Sequence, residues 1–121
     1  MAMNESFKTE TYRDTHDKIT HAGNFIILPL AYLRIMSLEE AVMLATLMNI
    51  AIMEEGRDRF MEPDWFKCSS AFLKKRLELT ERESRNYLSK LEKKGYIERK
   101  MFGNPAKRFI RINRSRVEDG I

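Results

Sequence analysis

The 121-residue chain is 43% apolar and 33% charged, with a formal net charge of +4 and one cysteine. That composition fits one globular domain with a modest core and excludes low-complexity, collagen-like and disulfide-scaffold chains. Cys68 has no partner for an intrachain disulfide, the first residues are polar rather than leader-like, and the apolar run 41–53 is shorter than the roughly 20 residues of a bilayer span, so a cytoplasmic protein without membrane contact is expected.

The charge is unevenly divided. Residues 1–63 hold six Lys/Arg against ten Asp/Glu, a net of −4, whereas residues 64–116 hold sixteen against six, a net of +10. A basic half of this kind suggests a surface for a polyanion, although charge runs are often no more than a solvated face.

Residues 1–24 lack periodicity and predict a polar arm or a disordered tail. Phe25-Ile26-Ile27-Leu28, closed by Pro29, predicts a small edge strand. Ser37 and Glu40 then have the spacing of a capping box, opening a helix that runs to about Glu55 with Gly56 as a left-handed stop. This helix is apolar nearly all round, which leaves two readings open. It is either a central helix covered by the rest of the chain, or it keeps an apolar face for a homodimer or another protein, with Met43, Leu47, Met48 and Ile50 as the interface.

After a loop over 57–63, Trp65-Phe66-Lys67-Cys68 predicts a short strand. Ser69 or Ser70 caps a second helix with Ala71, Phe72, Leu73 and Leu77 as its inner face. Glu78-Leu79 is a turn, and Thr80 with Glu83 forms a second capping box. The third helix runs to Lys94, with Ser84, Tyr87 or Leu88, and Leu91 turned inward and Gly95 as its stop. Residues 96–100 and 107–113 predict two strands joined by a turn at Phe102-Gly103-Asn104-Pro105. Phe109 and Ile110 break strict alternation, so which of them faces the core stays open. Residues 114–121 predict a frayed polar tail. The domain proper is therefore 25–113.

The third helix carries the chemistry. Its outward side offers Arg82, Arg85 and Asn86, types able to pair with guanine or adenine edges in the major groove. Ser89, Lys90 and Lys93, farther along, suit phosphates, and Lys74 and Lys75 on the preceding helix suit the flanking backbone. The hairpin adds Arg99, Lys100, Asn104, Lys107 and Arg108 around its tip. Double-stranded DNA is the expected partner. Catalysis finds no support: His16 and His21 have no acidic or cysteine neighbours at metal-ligand spacing, Cys68 lacks a paired base, and phosphate-loop and dinucleotide fingerprints are absent. Neither a metal nor a cofactor is expected.

Through LTERESRNYLSKLEKKGYIER and the basic ending GNPAKRFIRIN, residues 64–113 resemble the winged-helix domains of bacterial and phage DNA-binding proteins, including the amino-terminal domains of replication initiators of mobile elements. The resemblance implies an α+β, mainly α fold: a winged helix-turn-helix with three helices and a small antiparallel sheet. It implies a non-enzymatic, sequence-specific DNA binder acting in transcription or replication control; the alternative is a protein-interaction module that uses the fold without touching DNA. Relatives often place glycine where this chain has Glu78. A left-handed backbone there would cost glutamate about 1 kcal/mol. Ser84 stands at a buried position where relatives often have an aliphatic residue.

Overall fold

The computed structural model describes residues 11–14, 25–56 and 64–121. A 3-10 turn (Leu30–Arg34) leads into helix α1 (Leu38–Gly56), strand β1 (Trp65–Lys67), helices α2 (Ser70–Leu77) and α3 (Glu81–Lys93), strands β2 (Ile97–Phe102) and β3 (Lys107–Ile112), and helix α4 (Arg114–Gly120). The architecture is α+β and mainly helical, with a three-stranded antiparallel sheet in which β3 lies between β1 and β2. His16, His21, most of the expected arm and the 57–63 loop lie outside the described residues. Within the arm, Tyr12 to Asp14 are helical, with Thr11 and Asp14 exchanging backbone-to-side-chain hydrogen bonds at 3.1 and 3.2 Å.

Helix α1 is the centre of the core. Ala41, Met43, Leu44, Ala45, Leu47, Ile50 and Ala51 are all buried. Thr46 is buried too, its hydroxyl satisfied by donating to the Val42 carbonyl at 2.8 Å. This corrects the proposed dimer face: Met43 and Leu47 are fully buried and Ile50 is 9% exposed, so these side chains pack against their own chain. Met48 is only partly buried, packed against the same core. The capping box is half realised. The Glu40 N–H donates to Ser37 Oγ at 3.2 Å, while the Glu40 carboxylate accepts the Ser37 hydroxyl at 2.9 Å instead of reaching back to the backbone. Gly56 stays helical; Gly95 (φ +82) and Gly103 (φ +92) are the positive-φ glycines among the described residues.

Ser69 caps α2 by accepting from the Phe72 N–H at 3.1 Å. The buried side of α2 is narrower than expected: Leu73 is buried and Leu77 half-buried, whereas Ala71 and Phe72 are exposed. Residues four apart share a helix face, and Phe72 lies about 100° around from Leu73. Glu78 ends α2 in the left-handed conformation, φ 53 and ψ 43. Thr80 and Glu83 then form the complete capping box, at 2.9 and 3.1 Å. Ser84, Leu88 and Leu91 form the buried stripe of α3, and Tyr87 packs partly buried beside it.

The sheet has two differently used faces. Phe66, Ile97, Ile110 and Ile112 join the core with α1 and α3. Phe109 and Ile110 are both buried, on opposite faces: Phe109 meets Phe102 edge to face at 5.1 Å, and Phe102 meets Trp65 at 6.2 Å. The expected strand at 25–28 is not formed. That segment pairs with no strand among the described residues, with Ile26 and Leu28 packed against the core and Phe25 and Ile27 exposed. The C-terminal residues are not frayed but form α4, capped by Asn113 and anchored by buried Val117. A helix this short is marginal alone and gains its stability from packing, here through Val117, and from the Asn113 cap.

Candidate nucleic-acid interface

Helix α3 is held from three directions. Its stripe of Ser84, Leu88 and Leu91 is buried in the core. Beyond its end, Lys94 Nζ meets Glu40 Oε2 at 2.7 Å. On its flank, Arg99 of β2 donates to Glu92 Oε1 through Nε at 3.2 Å and through Nη2 at 2.8 Å, while the Arg99 N–H donates to Glu92 Oε2. This paired contact holds the Glu92 carboxyl below its ordinary pKa range, chiefly through hydrogen bonding from the guanidinium.

The opposite face of α3 is open to solvent. Arg82, Arg85, Asn86, Ser89, Lys90 and Lys93 are all exposed. Arg82, Glu83, Arg85, Asn86 and Ser89 line one shallow concavity, so the expected base-reading set is brought together. The acidic residues of the first turn are engaged locally. Glu83 is bound into the cap, which lowers its pKa, and Glu81 sits between Lys74 at 3.3 Å and Arg85 at 3.7 Å. Arg85 stays 69% exposed, and such a long surface contact is worth little, so its guanidinium is free to reorient.

Of the two lysines on α2, Lys74 lies beside α3 through Glu81. Lys75 is not part of that face; it lines a separate groove with Phe25, Phe72 and Arg76. The hairpin set divides likewise. Arg99 is spent on Glu92 and Ser89, and Arg108 donates from Nε to the Cys68 carbonyl at 3.0 Å, its Nη2 buried without a partner among the described residues. Both therefore position the hairpin and do not project from it. Lys107 and the tip residue Asn104 are exposed, while Lys100 Nζ lies over the Trp65 and Phe102 rings at 4.2 and 4.3 Å.

Sequence reasoning missed the outer sheet cluster of Trp65, Phe102 and Phe109, with Lys67 at its edge. The alternations Trp65-Lys67, Lys100-Phe102 and Lys107-Phe109-Arg111 were the available signal. Cys68 is buried, and burial pushes its thiol pKa up to about 11, so it is a neutral core group and not a nucleophile. Among the described residues no three His, Cys, Asp or Glu side chains gather to hold a metal ion, and no helix is long and apolar enough to cross a membrane.

The structure thus defines an α+β, mainly helical protein that presents the basic outer side of one firmly held helix next to a basic hairpin. No protein-family model, curated protein or solved structure matches the chain.

Proposed function

We propose that this protein is a winged helix-turn-helix that binds double-stranded DNA with sequence preference and performs no catalytic step, serving as a control factor in transcription or replication. The observation that carries this reading is the outer face of α3. Arg82, Arg85 and Asn86 share one open concavity, and the neighbouring carboxylates Glu81, Glu83 and Glu92 are each engaged within the chain. An α-helix fits the major groove, where Arg pairs with guanine O6/N7 and Asn with adenine N6/N7. Lys90, Lys93 and Lys107 supply phosphate contacts that fix orientation without reading sequence.

The test is a titration of labelled duplex DNA from 50 to 200 mM salt. Three phosphate contacts predict a log–log slope of roughly −2.7. A protein without salt-sensitive affinity for any duplex would overturn the reading.

A second reading, contact with another protein, draws support from a surface other than the one expected. Phe25, Ile27, Leu30, Leu33 and Leu38 are exposed, Ile27 and Leu30 to 75% and 76%. Such a strip suits a second copy of the chain, which would let two α3 helices address two half-sites.

A further inference from the structure

Strand β1 was expected only to support the fold, yet it carries a lysine into an unusual position. Lys67 on β1 pairs with Phe109 on β3, and Lys107 lies two residues before Phe109 on the same sheet face. Lys67 and Lys107 are therefore diagonal cross-strand neighbours, the geometry in which long side chains meet. In that placement Lys107 depresses the Lys67 pKa, through the side-chain interaction first and charge repulsion second.

Nothing in the described chain compensates this pair. Both lysines are exposed, and among the described residues neither has a carboxylate within ion-pair distance. Glu98, on the same face, is held by Arg111 at 2.5 Å. The support behind the pair is well packed, with Phe109 and Trp65 buried and Phe102 edge-on to both. Like charges directed at each other across strands destabilise a sheet. An anion seated between them would convert that repulsion into two charge-assisted hydrogen bonds.

The geometry points to a phosphate site: Lys67 and Lys107 together grip one phosphodiester of the DNA backbone from the outer face of the sheet. This rests on the DNA-binding reading above and adds to it a contact from β1. Because a phosphate carries no base identity, the pair adds affinity without discrimination. Because both lysines share one phosphate, their contributions are coupled.

The test compares the wild type with Lys67→Ala, Lys107→Ala and the double variant, titrated with one preferred and one random duplex between 50 and 200 mM salt. Thermal unfolding confirms that each variant keeps its fold. The expected result is a salt slope shallower by about 0.9 in the double variant. Affinity should fall by the same factor for both duplexes, and each single variant should show most of the double variant's loss. Lys67→Arg should retain the wild-type slope. An unchanged slope in the double variant, with the wild type still binding in a salt-dependent way, overturns the Lys67–Lys107 site and leaves the α3 reading standing. Additive single losses overturn the shared phosphate. A wild type that binds no duplex overturns both.

Discussion

Lys94, one residue past α3, donates from Nζ to Glu40 Oε2 at 2.7 Å and so ties the end of α3 to the first turn of α1. Burial pushes the Glu40 carboxyl up, but hydrogen bonds from Lys94 and Ser37, with the Lys94 charge, together hold its pKa below the ordinary value. A carboxylate whose folded pKa is depressed stabilises the fold above its unfolded pKa, roughly 4.3, and loses that contribution as pH falls through the folded value. Breaking a fully buried pair costs about 3–5 kcal/mol; the Lys94 side chain is 40% exposed, so Lys94→Met should cost about 1–2 kcal/mol at pH 7. Urea unfolding at pH 7 and pH 3 checks this. The gap between wild type and variant should narrow in acid, and a gap that persists at pH 3 would rule out the ion pair as its cause.

Glu78 occupies a left-handed backbone (φ 53, ψ 43) between α2 and α3, where glycine has no Cβ penalty. Glu78→Gly should raise stability by about 1 kcal/mol, seen as a higher urea midpoint at unchanged slope. A lower midpoint would show that the glutamate side chain contributes something the backbone argument omits.

On the proposed DNA reading, the α3 face divides into residues for sequence reading and residues for phosphate contact. Arg85→Ala and Asn86→Ala should each reduce discrimination between preferred and random duplex by about 1–3 kcal/mol. Lys90→Ala and Lys93→Ala should weaken binding to both duplexes alike and flatten the salt dependence by about one phosphate each. Competition titrations with the two duplexes distinguish these patterns, and a Lys90 variant with altered preference would contradict the division.

The two hairpin arginines should behave as structural residues. Arg99→Ala removes the two guanidinium bonds to Glu92 Oε1 and should lower stability by about 1–3 kcal/mol, as for hydrogen bonds to charged groups. Arg108→Met loses the bond to the Cys68 carbonyl but also removes a buried, unpartnered Nη2, so its net effect should stay within about 1 kcal/mol. Denaturant titration measures both. A marked change in salt slope for Arg108→Met would instead assign that residue to the DNA surface.

If two copies associate through these exposed residues, Ile27→Glu and Leu30→Glu should yield folded monomers, as read by sedimentation. Met43→Glu, by contrast, should unfold the protein, because its fully buried position would leave a carboxylate without a partner. A Met43→Glu protein that stays folded and changes only its oligomeric state would restore α1 as the contact surface.

Much of the helical framework was legible because local signals sufficed. The Thr80–Glu83 box, the Ser69 cap, the Gly95 stop and the stripe of Ser84, Leu88 and Leu91 each depend on neighbours within a few residues. What misled were features decided by distant packing. The 25–28 segment is a short apolar run closed by Pro29, as a small strand would be, yet it finds no pairing partner among the described residues. Val117 docks a tail too polar to predict as helix. The near-uniform apolarity of α1 could not tell burial on several sides from burial on one plus an interface. At the candidate site, exposure of Arg82, Arg85 and Asn86 followed from the 3.6-residue period. The engagement of Arg99 with Glu92, and the diagonal placement of Lys67 and Lys107, depend on how the sheet is seated against α3 and on strand register.

The most direct measurement is selection of bound fragments from a random duplex DNA pool, run in parallel with the wild type and with an Arg82/Arg85/Asn86→Ala triple variant. The wild type should enrich a motif, and the triple variant should retain salt-dependent binding without enrichment. No enrichment with the wild type, or the same motif enriched by the triple variant, would contradict α3 as the sequence-reading element.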